Sequence, residues 1–135
     1  MKITFLGGGN MAAALIGGLV KQGFVPTDIQ VVELQAEQRD KLIATYGVTC
    51  LPEVGDAALV ADLVVLAVKP QQMQAALAPF VGHLQHQIVV SIAAGLTLAT
   101  LSRWLGGYRK IVRAMPNTPA LIGSGMAGLC ALPEV

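Results

Sequence analysis

The sequence predicts an α/β fold, a doubly wound, mostly parallel sheet with helices on both faces. Strand and helix signals alternate along the whole chain with short connections, the pattern of strand–helix–strand units. The strongest strand signal, Leu63-Val64-Val65-Leu66-Ala67-Val68, is apolar at every position rather than at alternate ones. A strand covered by helices on both sides needs that pattern. With 54% hydrophobic and 13% charged residues, the 135-residue chain is too apolar for disorder and long enough for one compact domain.

Each element follows from local signals. Ile3 to Leu6 is a short apolar run that stops at three glycines, as a buried strand entering a tight turn does. Met11 to Gln22 carries apolar residues at helical spacing, and Gly23 supplies the stop. Pro26-Thr27-Asp28 makes a turn into a second strand over Ile29 to Leu34. A surface helix with a Leu42/Ile43 stripe is expected from Ala36 to Thr45, ended by Gly47. Val48 to Leu51 reads as a short strand and Glu53 to Val60 as a short helix before the central strand Asp62 to Val68. Pro70 suits the first position of a helix running to about Leu84. Ile88 to Ile92 is a further buried strand, and Thr97 caps a helix ending near Gly106. Lys110 to Met115 and Gly125 to Leu132 complete the set as a sixth and a seventh strand.

Composition excludes several classes. A net charge of +1 gives no electrostatic case for a nucleic-acid or anionic-membrane partner. Cys50 and Cys130 lie in apolar settings without metal-ligand spacing, which favours small core side chains over redox chemistry. His83 and His86 have no Cys, Asp or Glu near them in sequence, so no metal site is expected. Residues 70–102 hold no Asp, Glu, Lys or Arg, but glutamines, histidines and prolines interrupt them. The cleanest apolar stretch, Ile88 to Leu101, falls short of the roughly 20 residues a bilayer requires. The segment after Lys2 has the outline of an export signal, broken by Gly7-Gly8-Gly9-Asn10. A cytoplasmic protein is the expectation.

Gly7-Gly8-Gly9-Asn10-Met11-Ala12 fits G-x-G-x-x-A between the first strand and the first helix. In that context Gly7 permits the tight turn, Gly9 lets a pyrophosphate approach the backbone, and Ala12 lets helix pack on strand. The free N–H groups of the helix start then face the phosphates. The other reading is a plain structural turn. Glu33, 21 positions beyond Ala12 at the end of the second strand, suits a hydrogen bond to an adenosine ribose. Its carboxylate would repel a ribose phosphate and so favours NADH over NADPH, unless Arg39 turns to meet that phosphate. A solvated strand-end glutamate is the alternative. These features make the fold Rossmann-type and NAD(P)H the expected cofactor.

Three more segments end strands on the same side of the sheet: Ala67-Val68-Lys69-Pro70, Ser91-Ile92-Ala93-Ala94-Gly95 and Arg113-Ala114-Met115-Pro116-Asn117-Thr118-Pro119. Together with the glycine turn they resemble pyrroline-5-carboxylate reductase, and Met115-Pro116-Asn117-Thr118-Pro119 is the most specific string. The resemblance covers essentially the whole chain. It implies hydride transfer from NAD(P)H to 1-pyrroline-5-carboxylate, giving L-proline. It also implies that Gly9, Asn10 and Met11 cradle the pyrophosphate. Ala67, Val68, Lys69 and Pro70, with Ala93, Ala94 and Gly95, would then flank the nicotinamide side. Asn117 and Thr118 would lie near nicotinamide and substrate. A protonated imine is already electrophilic, so positioning in a dry pocket is the main task. No catalytic residue is certain; Lys69, Asn117 and Thr118 are the nearest candidates. Lys69 has a competing reading as a charge facing cofactor or solvent with its stem beside Pro70, and Asn117 as a turn former between prolines.

Members of that family carry a second, helical half that builds an oligomer and part of the substrate site. No segment of these 135 residues replaces it. The expectation is therefore a dinucleotide-binding domain over 1–135, nearly inactive alone, within a homo-oligomeric enzyme. Two alternatives are a stand-alone dinucleotide-binding or regulatory module and a β-hydroxyacid dehydrogenase-like reductase. The latter should lack the Met115–Pro119 string.

Overall fold

The computed structural model describes residues 2–92 and 95–113, and the backbone of 130–131. Its strands among these residues are β1 (Ile3–Leu6), β2 (Ile29–Val32), β3 (Thr49–Leu51), β4 (Leu63–Leu66), β5 (Ile88–Ser91), β6 (Ile111–Arg113) and β7 (Cys130–Ala131). The helices are α1 (Asn10–Lys21), α2 (Ala36–Tyr46), α3 (Asp56–Leu59), α4 (Pro70–Leu77) and α5 (Leu98–Trp104). The sheet order is β3-β2-β1-β4-β5-β6-β7. All neighbours pair in parallel except β7, which runs antiparallel to β6.

Strand periodicity sorts the core into two clusters, one for each face of the sheet. Ile3 and Phe5 of β1, Val31 of β2 and Val65 of β4 pack with Ala12, Leu15, Ile16 and Leu19 of α1 and Leu42 of α2. Leu6, Val32, Val64 and Leu66 face the other way, onto Met73 and Leu77 of α4 and Leu101 of α5. Both β1 and β4 are buried at all four positions, apolar throughout except for Thr4. Burying each such side chain contributes about 1.5–3 kcal/mol.

Several expected boundaries change. α4 stops at Leu77 and gives way to a 3-10 turn, Ala78–Phe80, instead of continuing to Leu84. Pro79 cannot donate to the helical ladder, and its ring crowds the preceding turn. α3 begins only at Asp56, because Pro52 and Gly55 hold the preceding residues in a loop. In α2, Leu42 enters the core while Ile43 stays 48% exposed, so the stripe is one residue wide. β2 ends at Val32, before Glu33, and the first helix starts one residue early, at Asn10. Thr97 caps α5 as expected, its hydroxyl accepting from the Thr100 N–H at 3.1 Å.

Side chains finish the amino edge of the sheet. The end of α3 makes local bonds from Val60 N–H to Ala57 O and from Ala61 N–H to Leu59 O, and side chains of β1, β2 and the residue before β5 add to them. The Thr4 hydroxyl donates to Ala58 O at 2.9 Å, and Gln30 Nε2 donates to Ala57 O and Val60 O at 2.8 and 3.1 Å. Gln87 Nε2 donates to Leu59 O at 2.8 Å, while its Oε1 accepts from the N–H groups of Gln85 and His86. The Tyr108 phenol then donates to the Gln87 carbonyl at 2.5 Å. Among the described residues no buried side-chain nitrogen or oxygen is left without a partner.

Candidate functional site

The chain leaves β1 for β2 and β3 on one side, then returns to β4 beside β1 and proceeds outward on the other. The carboxyl ends of β1 and β4 therefore flank the point where strand order reverses, where open α/β sheets hold ligands. Backbone bonds close this seam: Ala67 N–H donates to Leu6 O and Gly7 N–H to Val32 O, both at 2.8 Å.

The three glycines of the turn have three different physical reasons. Gly7 adopts φ +98°, and a Cβ there would sit 2.9 Å from Val68 Cγ1 and 3.1 Å from the Ala67 carbonyl. It is required by the chain's own geometry. Gly8 is buried, and a Cβ would lie 2.8 Å from Leu42 Cδ1 and 3.2 Å from Val31 Cγ1. It is required by packing. Gly9 has ordinary angles (φ −74°, ψ −168°), and a Cβ there would meet nothing within 4 Å. Nothing among the described residues requires a glycine at position 9. The open space lies over the start of α1, so what the missing side chain leaves room for is a ligand.

The start of α1 is suited to an anion. Gly9 supplies no side-chain cap, and its carbonyl accepts the first ladder bond, from Ala13. The N–H groups of Gly9, Asn10, Met11 and Ala12 have no acceptor among the described residues. Unpaired donors at a helix start attract phosphate. Asn10 and Met11 are exposed, whereas Ala12 is fully buried between helix and sheet, as the small third residue of the motif should be.

Glu33 is half-buried and held in place, unlike a free surface glutamate. One carboxylate oxygen accepts from Gly8 N–H at 2.9 Å and the other from Gln35 N–H at 3.0 Å. Each oxygen keeps a further lone pair for a ribose hydroxyl. Two residues not singled out from the sequence for these contacts complete the arrangement. Gln38 Nε2 donates to Gly8 O, and Arg39 Nη1 donates to Glu33 O and Leu34 O at 2.8 and 3.0 Å. Arg39 is thus already engaged on backbone carbonyls. A glutamine near a helix start reads in sequence as solvated surface, so only the assembled fold shows where Gln38 binds. Cys50 lies close by, with its thiol directed at Arg39 O at 3.7 Å. Burial pushes its pKa up, against a smaller lowering by Arg39, so it is a poor nucleophile.

Across the seam, Ala67 and Val68 are half-buried, while Lys69 and Pro70 are exposed at the start of α4. The Lys69 ammonium has no ion-pair partner among the described residues. Gly95 is exposed with φ +81°. Ala93, Ala94, Asn117 and Thr118 lie outside the described residues. His83 and His86 are exposed, far along the chain from the glycine turn, and Trp104 and Tyr108 pack against the second core cluster. A shallow depression of about 220 Å3 lies at the opposite, amino edge, lined by Lys2, Thr27, Asp28, Gln30, Ala57 and Val60. The side-chain amide of Gln30 is already spent there on Thr4, Ala57 and Val60.

The similarity carried by the four motifs extends along the whole chain. It is 47% identical over 137 residues to a pyrroline-5-carboxylate reductase of Pseudomonas aeruginosa, covering 99% of this chain and 50% of that protein. Among solved structures, a pyrroline-5-carboxylate reductase of Coxiella burnetii superimposes with a TM-score of 0.78 at 39% identity, covering 90% of this chain and 46% of the other. The Plasmodium falciparum pyrroline carboxylate reductase with NADP bound gives a TM-score of 0.81 at 26% identity, covering 100% and 49%. The chain spans about half the length of these relatives. No helix among the described residues is long and apolar enough to cross a membrane. Residues 2–95 match the family model described as NADP oxidoreductase coenzyme F420-dependent, and the chain belongs to that family.

Proposed function

We propose that this chain is the dinucleotide-binding half of a cytoplasmic reductase that converts 1-pyrroline-5-carboxylate to L-proline. The observation that carries the reading is Gly9, a glycine with no conformational or packing reason among the described residues, at the head of four N–H groups that have no acceptor among them. The likeness to pyrroline-5-carboxylate reductases supplies the reaction class.

When bound, NAD(P)H would supply a hydride to the carbon of the protonated imine; the C=N π pair would pass to nitrogen, which keeps its proton and becomes the amine of proline. The chain's own residues bind and orient. Gly9, Asn10 and Met11 direct N–H groups at the pyrophosphate, and Glu33 accepts from the adenosine ribose. Ala67 to Pro70 and Ala93 to Gly95 border the nicotinamide side, with Asn117 and Thr118 near the substrate. Lys69 presents a charge to the cofactor or solvent at this mouth. The helical half of the homo-oligomeric enzyme completes the substrate site.

The Glu33 carboxylate disfavours a ribose 2′-phosphate, and NADH is therefore the preferred cofactor of this chain. Thermal-shift titration with NADH and NADPH tests both parts of the reading. At a hundredfold excess over the dissociation constant, NADH is expected to stabilise the chain by about 2.7 kcal/mol. Glu33→Ala should reduce that gain and narrow the gap to NADPH. A response to NADPH alone would refute the role given to Glu33. No response to either would remove the cofactor reading for the isolated chain.

A further inference from the structure

Resting on the dinucleotide reading above, the geometry points to Gln38 as a positioning residue that aims the pyrophosphate-binding N–H of Gly9. Two successive peptide planes of the glycine turn are held from outside the turn. The Gly8 N–H, on the plane shared with Gly7, donates to Glu33 at 2.9 Å. The Gly8 carbonyl, on the plane shared with Gly9, accepts from Gln38 Nε2. No cis peptide bond interrupts the described residues. In a planar trans peptide the carbonyl of one residue and the N–H of the next point in opposite directions. A donor holding the Gly8 carbonyl toward α2 therefore turns the Gly9 N–H away from α2, where it meets no acceptor among the described residues.

The turn needs this hold. Glycine restricts its own torsions least of all residues, and Gly7, Gly8 and Gly9 are consecutive. A run of three would leave the direction of the Gly9 N–H poorly defined, at a cost in ordering on binding. Gln38 is in turn fixed by its neighbour on α2: Arg39 grips the carbonyls of Glu33 and Leu34, which anchors the β2–α2 connection. The first turns of α2 thus hold the glycine turn through Gln38 and the end of β2 through Arg39. Gln38 touches no reacting atom; it acts through the backbone of Gly8.

Gln38→Met keeps the length of the side chain and removes its donor; Gln38→Glu removes the donor and adds a charge facing the carbonyl. The measurements are Kd for NADH and for ADP by calorimetry, the unliganded Tm, and amide exchange at Gly8 and within α1. Gln38→Met is expected to weaken NADH and ADP by a common factor of about ten, since both carry the pyrophosphate, with Gln38→Glu worse. Gly8 should lose exchange protection while Leu15 and Leu19 keep theirs and Tm stays within about 2 °C. Wild-type affinity in Gln38→Met overturns the inference and leaves the cofactor reading standing. Parallel loss of Tm and of α1 protection also overturns it, because Gln38 would then be a general structural contact. A wild-type chain that binds neither NADH nor ADP overturns both, and Gly8 protection then reports only a stiffened turn.

Discussion

At the amino edge of the sheet side chains close whatever the backbone leaves open, whereas at the carboxyl edge backbone donors stay open and side chains only set their direction. Thr4, Gln30 and Gln87 cover the last carbonyls of α3, and Tyr108 covers the carbonyl of Gln87. Across the sheet, Glu33 and Gln38 clamp Gly8 but leave the N–H groups of Gly9 to Ala12 free among the described residues. The helix starts differ in the same way: α5 has the Thr97 hydroxyl as its cap, and α1 has none. An uncapped helix start costs stability in the unliganded chain. Its place at the carboxyl edge separates the edge closed for folding from the edge proposed above to bind.

Substitutions at the two edges should therefore separate stability from affinity. The largest stability effect is expected from Gln87→Met at the amino edge. Gln87 is 3% exposed, and its amide serves three backbone groups. Each of the three hydrogen bonds lost contributes about 0.5–1.5 kcal/mol, and a total loss of about 2–4 kcal/mol should appear in urea unfolding. NADH affinity should stay within twofold. A comparable loss of affinity would break the separation.

Gly8→Ala is the mixed case, because Gly8 lies under the turn and against the core. Its Cβ would press on Leu42 and Val31, and overpacking of this kind costs about 1–3 kcal/mol. Unfolding and calorimetric titration should show both stability and NADH affinity reduced. Full retention of either would mean that turn and core are less coupled than their contacts indicate.

The smallest effect concerns pH. Burial raises the Tyr108 phenol pKa above its ordinary value, so the folded state favours the neutral form. That stabilisation is complete below the unfolded value of about 10 and is lost as pH rises through the folded value. Tyr108→Phe should be less stable by about 1 kcal/mol at pH 8. Its Tm should then fall less steeply than wild type between pH 9 and 11. Parallel pH profiles would remove Tyr108 from the account of the amino edge.

What the sequence made legible follows the range of the interactions involved. β4 was readable because four consecutive apolar residues admit few other placements, β1 because a β-branched, largely apolar run stops at three glycines, and the Thr97 cap because its partner lies three residues away. The glycine turn was readable because its residues fall at the fixed spacing G-x-G-x-x-A, and within it Gly7 and Ala12 answer local requirements of backbone and packing. The long-range contacts of Gln30, Gln38 and Gln87 span 26 to 30 residues and leave no periodic trace. Gly8 occupies an unrestricted place in the motif, yet it is the glycine that packing requires. The helix expected to run to about Leu84 stops at Leu77, two residues before Pro79. Met115 to Pro119, the most specific string in the sequence, lies outside the described residues.

The central claim is that Gly9 is kept free for a ligand rather than for the fold, and calorimetric titration of NADH into wild type and Gly9→Val tests it most directly. The account predicts a change in unliganded stability of no more than about 1 kcal/mol, because position 9 is the N-cap of α1, where Val is less favourable than Gly. It predicts NADH binding weakened about a hundredfold, on the order of 2.7 kcal/mol. Equal affinity in the two proteins, or a Gly9→Val chain that unfolds before it loses affinity, would contradict it.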